Sequence, residues 1–308
     1  MTLATGPESL VLAILGPTAS GKTALAVELA QRLGGELLNA DSRQAVAELE
    51  VGVGKPTPAE LGGVACHGLD WAHLGETFSA AVFRRRAAVC VWSILGRGRP
   101  ALVVGGSGLY VRGLLAGFDY GRLESDQGRG GLLEAHAGLD RDPVRALQLA
   151  DPGRASRIDL HNQRRVVRAL ELARAGVEAR QQPPPWTVVK LGCRLERQEL
   201  RRRIRLRAER MLGAGLVREI QRLLRQGYSR QVLAAAAIGY SEALDWMDGR
   251  VDREGAVSRV ALRTARYAKA QSTWLRRERD VQWVDLAETV AETADRCLEI
   301  MAAVPAPN

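Results

Sequence analysis

Apolar positions near the N-terminus come in short blocks whose spacing changes along the chain. Val11-Leu12-Ala13-Ile14-Leu15 is an unbroken apolar run, the pattern of a strand covered on both faces in a parallel sheet. Lys22 to Leu33, rich in Ala, Leu and Glu, reads as a helix. Glu36-Leu37-Leu38-Asn39-Ala40 predicts a second strand, Phe78 to Leu95 a helix, and Pro100-Ala101-Leu102-Val103-Val104 a third strand. From Phe118 to about Gly131 glycine and charge replace the periodicity, which predicts a lid or domain boundary. Short helical stretches follow, then a helix from Val166 to Ala175 and a proline-rich linker from Gln181 to Trp186. Val188-Val189-Lys190-Leu191 predicts a strand returning to the sheet. Glu196 to Arg225 is the longest helical region, interrupted at Gly213 to Gly215, and Arg259 to Arg277 is another basic helix. A last helix packs on the core after Val281-Gln282-Trp283, before a Pro/Ala/Asn tail, and no internal repeat is found. Strands alternating with helices predict the α/β class with a parallel sheet.

Composition narrows the class. The 308 residues allow one large domain or two smaller ones, and 46% apolar with 26% charged is an ordinary soluble balance. No apolar run approaches the roughly 18 residues of a membrane span, and the start lacks a signal-like pattern, so a cytoplasmic location is expected. Cys66, Cys90, Cys193 and Cys297 are scattered and form no metal-binding spacing with the histidines, so reduced thiols are expected. The formal charge is +9, carried by arginine except at Lys22, Lys55, Lys190 and Lys269. Arginine suits phosphate and base contacts. A GC-rich coding bias gives the same total, so individual placements must carry the argument.

The densest chemistry is in Gly16-Pro17-Thr18-Ala19-Ser20-Gly21-Lys22-Thr23, which fits the P-loop pattern between a strand and a helix. Backbone amides, the helix N-terminus and Lys22 would surround an oligophosphate, with Thr23 placed to reach a Mg²⁺ on it. Asp41-Ser42-Arg43-Gln44 ends the second strand. If strands one and two are parallel, Asp41 lies near the phosphate loop as metal holder or proton acceptor; a helix N-cap is the plain alternative. Gly52-Val53-Gly54-Lys55-Pro56 makes an irregular turn with a second lysine near the same face. The third strand ends in Gly105-Gly106-Ser107-Gly108-Leu109-Tyr110, where an ATPase commonly presents an Asp. Its small residues would let a substrate approach the backbone, with Ser107 facing the cleft of Asp41; the alternative is a tight turn with a Ser cap. Arg203, Arg207 and Arg210 form a helical stripe, and Tyr267, Lys269 and Trp274 interleave with arginines. The stripe suits binding and the interleaved helix suits a single-stranded RNA loop, and both are also compatible with a solvated helix face.

With these motifs in order, joined by Arg164-Arg165-Val166-Val167-Arg168-Ala169-Leu170-Glu171, Ile238-Gly239-Tyr240-Ser241-Glu242 and Tyr267-Ala268-Lys269-Ala270-Gln271-Ser272-Thr273-Trp274, the chain resembles the tRNA dimethylallyltransferase (tRNA isopentenyltransferase) family from residue 11 to about 285. The resemblance implies a P-loop NTPase-like core with a smaller, mostly helical inserted domain: residues 1–118 and 191–308 in the core, 119–190 in the tRNA-contacting insertion. It implies transfer of the dimethylallyl group of dimethylallyl diphosphate to N6 of adenosine 37 in tRNAs reading U-initial codons. Asp41 and Ser107 would then be catalytic, with Ser107 where most members have Thr. Gly16 to Thr23 and Arg207 would hold the diphosphate. Asp41, Ser42, Arg43, Gln44, Gln163, Arg164, Arg165, Val166 and Val167 would contact tRNA, with Mg²⁺ at Thr23. A monomer is expected. The sequence departs from the family pattern at Val53, at Asp159-Leu160-His161-Asn162, at Ala265 and Ala270, and in a shorter insertion. Two other classes share the phosphate loop: a nucleotide or small-molecule kinase, and a non-catalytic RNA-binding NTP switch.

Overall fold

A computed structural model describes residues 10–117, 142–176, 182, 184–286 and 289–303, without the side chain of Arg164. The expected lid or boundary at Phe118 to Gly131 lies outside the described residues. Six strands form one parallel sheet: β1 (Leu10–Leu15), β2 (Glu36–Asn39), β3 (Cys66–His67), β4 (Ala101–Gly105), β5 (Thr187–Arg194) and β6 (Val281–Asp285), in the order β3-β2-β4-β1-β5-β6. The helices are α1 (Lys22–Leu33), α2 (Pro58–Leu61), α3 (Ala80–Leu95), α4 (Gly108–Leu115), α5 (Pro143–Ala150), α6 (Pro152–Ala155), α7 (Gln163–Arg174), α8 (Arg197–Ala214), α9 (Leu216–Arg225), α10 (Arg230–Ala236), α11 (Tyr240–Met247), α12 (Arg253–Leu275) and α13 (Val290–Ala303).

The apolar run of β1 is continuous because both of its faces are covered. Val11, Ala13 and Leu15 join the core under α3 and α4, with Phe83, Ile94 and Leu114. Leu12 and Ile14 face the other way, against Leu25 and Leu29 of α1 and Cys297 of α13. A buried Leu of this kind contributes about 2 kcal/mol relative to exposure, so the central strands are the most strongly specified part of the chain. Residues 187–190, assigned above to the insertion, belong to β5, where Val188 and Val189 pair with Val11 and Leu12. Register with the central strand returns the chain to the sheet before residue 191.

Two further cores lie away from the sheet. α8 to α12 enclose Leu212, Ile220, Leu233, Tyr240 and Val257 together with Leu49 and Val53. The interruption within the long helix is Gly215, whose φ of 130° separates α8 from α9. α5 to α7 close around Leu147, Ala155, Val166 and Leu170. Several elements escaped the sequence reading, among them the short α2. β3 is two residues long, β6 is an edge strand with mixed exposure, and α10 and α11 acquire a recognisable apolar face only against their neighbours. No helix of the described residues is long and apolar enough to cross a membrane.

Candidate active site

The topology places three loops side by side. β4 lies between β1 and β2 and is parallel to both, so the loops after these strands share the carboxyl edge of the sheet, where α/β proteins bind ligands.

The first is the phosphate loop. Ala19 and Gly21 both take left-handed backbone angles, φ 64° and 96°, which bends the chain into a concave turn that can point amides inward. Gly21 caps α1 without a side-chain bond, leaving the first N–H groups of that helix for an anion. Ser20 is fully buried, and its hydroxyl has no hydrogen-bond partner. Lys22 Nζ donates to the Pro17 carbonyl at 3.2 Å. Burial lowers the Lys22 pKa, Asp41 raises it and Arg207 lowers it. The lysine therefore sits within the fields of both other charged residues of the predicted site.

The second loop carries Asp41. Its Oδ1 accepts the Arg43 N–H at 2.9 Å, and its own N–H donates to Asn39 Oδ1 at 3.1 Å. No helix starts at Asp41, so it is not a helix N-cap; one oxygen holds a turn instead, and no described donor reaches the other. The third loop carries Ser107. Ser107 is the N-cap of α4, yet its hydroxyl makes no capping bond. It accepts the Ser42 N–H at 3.1 Å instead and lies 3.4 Å from Ser42 Oγ. Tyr267 lies near the same turn: burial, then Asp41, raises its pKa. The Asp41 and Ser107 loops are therefore joined directly.

Arg207 enters from α8. Its Nη2 donates to the Val53 carbonyl at 2.8 Å; burial lowers its pKa and Asp41 raises it. The Gly52 to Pro56 turn is thus the seat of this arginine. Gly52 packs against the Tyr240 ring, which a Cβ there would meet at 2.3 Å. Tyr240 OH donates to Glu219, which also accepts the Val51 N–H at 2.6 Å. Lys55, expected near the phosphate face, instead bonds the Val46 and Ala47 carbonyls and Asp70. It closes its own loop, because three oxygens there match the three ammonium donors.

The small residues after β4 also have a different use from the one expected. A Cβ on Gly105 would meet the Ala40 carbonyl at 2.4 Å, one on Gly106 would meet Gln271 at 2.3 Å, and one on Gly108 would meet Trp274 at 1.9 Å. Protein, and not substrate, occupies those approaches.

The predicted RNA contacts are dispersed. Ser42 and Arg43 follow Asp41, with Arg43 exposed, while the Gln44 amide donates to the Gly54 carbonyl at 2.9 Å. Gln163 and Arg165 are exposed at the start of α7, where Asn162 caps the helix through the Arg165 N–H. Val167 is half-buried. Val166 is fully buried in the small helical core, so its side chain shapes the helix and presents nothing to a partner. Two residues named from sequence only within a helical stripe and a motif turn out to lie at the site. Arg203 Nη1 donates to the Ser20 carbonyl at 3.1 Å, adding a cation beside the phosphate loop. Gln271 accepts the Thr18 N–H at 2.8 Å. The Arg203-Arg207 spacing of one helical turn was the available signal for the first; nothing local gave the second its partner.

Similarity to known proteins agrees with this geometry. The family model described as IPP transferase matches residues 44–278, more than half of the chain. A tRNA dimethylallyltransferase 1 of Citrifermentans bemidjiense is 38% identical over 301 residues, covering 95% of this chain and 97% of that protein. A tRNA dimethylallyltransferase of Thermomicrobium roseum is 40% identical over 286 residues, 90% of this chain and 87% of that one. The solved tRNA isopentenylpyrophosphate transferase of Bacillus halodurans superposes with a TM-score of 0.71 at 34% identity, covering 96% of both chains. A eukaryotic dimethylallyltransferase solved acting on tRNA shares the fold, with a TM-score of 0.80 at 23% identity over 96% of this chain and 80% of that one. With its phosphate loop, its Asp41 turn and its Arg207 seat meeting at one sheet edge, the chain belongs to the IPP transferase family.

Proposed function

We propose that the protein transfers the dimethylallyl group of dimethylallyl diphosphate to the exocyclic N6 of adenosine 37 in tRNAs that read U-initial codons, releasing diphosphate. The observation that carries this reading is that the loops bearing Lys22, Asp41 and Ser107 share the carboxyl edge of the sheet, with Asp41 acting on the charges of both Lys22 and Arg207. Two cations suit a leaving diphosphate, and the carboxylate beside them suits an incoming amine.

In the reaction the allylic C–O bond breaks with its electron pair going to diphosphate, and the N6 lone pair forms the new N–C bond. The proton lost from N6 passes to the unpartnered oxygen of Asp41, which first orients the amine. Lys22, Arg207 and the amides of Gly21, Lys22 and Thr23 stabilise the charge that develops on the leaving group. Gly16 to Ser20 shape the cradle, and the orphaned Ser20 hydroxyl is a further donor for a phosphoryl oxygen. Ser107 positions the Asp41 loop through Ser42. Ser42, Arg43, Gln44 and residues 163–167 would meet the anticodon loop by polar groups, Val166 excepted.

The residues present also suit Mg²⁺. No cluster of three ligating side chains occurs among the described residues, as expected for an ion that keeps several waters and takes most other ligands from phosphate. Thr23 would supply a hydroxyl, and the ion would neutralise part of the diphosphate charge. Residues 119–190, less those in β5, would form the tRNA-gripping insertion of a cytoplasmic, monomeric enzyme.

The test is direct. Unmodified tRNA carrying adenosine 37 is incubated with the protein, dimethylallyl diphosphate and Mg²⁺, then digested for nucleoside mass. A five-carbon gain at that adenosine is expected. RNA retained without mass gain would instead support the non-catalytic reading, and phosphoryl transfer from ATP would support the kinase.

A further inference from the structure

Gln271 lies on α12, is 4% exposed, and uses both ends of its amide. Oε1 accepts the Thr18 N–H at 2.8 Å, and Nε2 donates to the Gly106 carbonyl at 3.1 Å. One side chain therefore ties the loop after β1 to the loop after β4, from a helix 165 residues further along the chain than Gly106. The junction is tight, because a Cβ on Gly106 would come within 2.8 Å of the Gly16 carbonyl as well as 2.3 Å of Gln271 Nε2. At neutral pH a primary amide offers a neutral donor and acceptor at this spacing, where a carboxylate offers acceptors alone. Thr18 precedes the amides at the start of α1, so the bond shapes the cradle without occupying a donor that faces the anion.

We propose that Gln271 is a positioning residue for the transfer: it locks the phosphate loop in register with the Ser107 turn, and so sets the separation of diphosphate and adenine without touching either. This rests on the function proposed above. A second RNA contact is the competing role, since exposed Tyr267 and Lys269 share the helix. The buried amide, with each end already engaged by backbone, argues against it.

The experiment compares full-length wild type with Q271L, Q271E and G106A. It measures dimethylallyl diphosphate affinity by calorimetry with Mg²⁺, unmodified-tRNA affinity, and kcat and KM for each substrate. Q271L is expected to weaken diphosphate binding several-fold and lower kcat about tenfold, with tRNA affinity within twofold of wild type. Q271E keeps an acceptor for Thr18 but loses the donor to Gly106 while ionised. Its deficit relative to wild type should shrink as pH falls and the carboxyl regains a proton, a rescue that mere space-filling does not give. G106A pushes the amide away from the opposite side and should reproduce Q271L, which decides the matter if Q271L does not fold. Wild-type activity with diphosphate affinity and kcat unchanged in the variants overturns the inference alone, as does an effect confined to tRNA affinity. A wild type that neither binds the diphosphate nor modifies tRNA overturns the proposed function, and this inference with it.

Discussion

Asp41 has its two carboxylate oxygens in different surroundings. One holds the turn through the Arg43 N–H, and no described donor reaches the other, which is the oxygen proposed to take the proton. Asparagine can still cap the turn but cannot take a proton. Asp41→Asn is therefore expected to lower kcat by about 10²- to 10⁴-fold, the range of general-base catalysis, with diphosphate affinity and melting temperature near wild type. Full activity in single-turnover assays would remove the proton role and leave only the structural one. Arg207 has the complementary position, held at the Val53 carbonyl with its guanidinium in the field of Asp41. Arg207→Ala should weaken dimethylallyl diphosphate binding by about tenfold or more, on the order of 1.4 kcal/mol or above, with tRNA affinity little changed. Calorimetry with each ligand separates the two.

Among the elements, the Gly52–Pro56 turn and α11 act as one support. Glu219 is buried and receives Tyr240 OH, Glu50 N–H and Val51 N–H, which fixes the turn that presents Val53 to Arg207. Tyr240→Phe removes one donor from a buried carboxylate and should cost about 1–3 kcal/mol of stability, seen in urea unfolding. The effect on diphosphate affinity should be smaller than that of Arg207→Ala. At the other side of the sheet, Glu36 of β2 accepts bonds from Arg97, Arg99 and His67. The Arg97 bonds, with a smaller contribution from His67, pull its pKa down to about 2. A depressed carboxylate stabilises the fold above its unfolded pKa, so this contribution is full at neutral pH and fades as pH falls from about 4.5 toward about 2. Glu36→Gln should unfold more easily at pH 7, and its disadvantage should vanish at the acid end. An equal deficit at all pH values would mean that packing and not charge is at work. Departures from the family pattern also make sense on this scale. Val53 is buried among apolar neighbours of the helical core, and it is its backbone carbonyl that serves Arg207.

Across the whole molecule a formal charge of +9 faces a polyanion, and binding to tRNA should release counterions. Raising salt from 50 to 200 mM should weaken tRNA affinity by about 10-fold or more if several phosphates are neutralised, while Asp41→Asn should leave the slope of log affinity against log salt unchanged. A flat salt response would place the basic side chains outside the interface. Much of this arrangement was legible beforehand. Val11 to Leu15 read as a covered strand and Gly16 to Thr23 as a tight turn into a helix, and both are found, because hydrophobic period and turn chemistry are local properties that a stretch of chain carries with it. The parallel relation of β1 and β2 was a condition in the sequence and became a fact only when β4 was seen between them. The seat of Arg207 on Val53, the use of Lys55 as a loop clamp, the packing of Gly106 against Gln271 and the burial of Val166 belong to the fold alone. Each depends on segments distant in sequence meeting in space, and no spacing within one segment records which partner a side chain will meet.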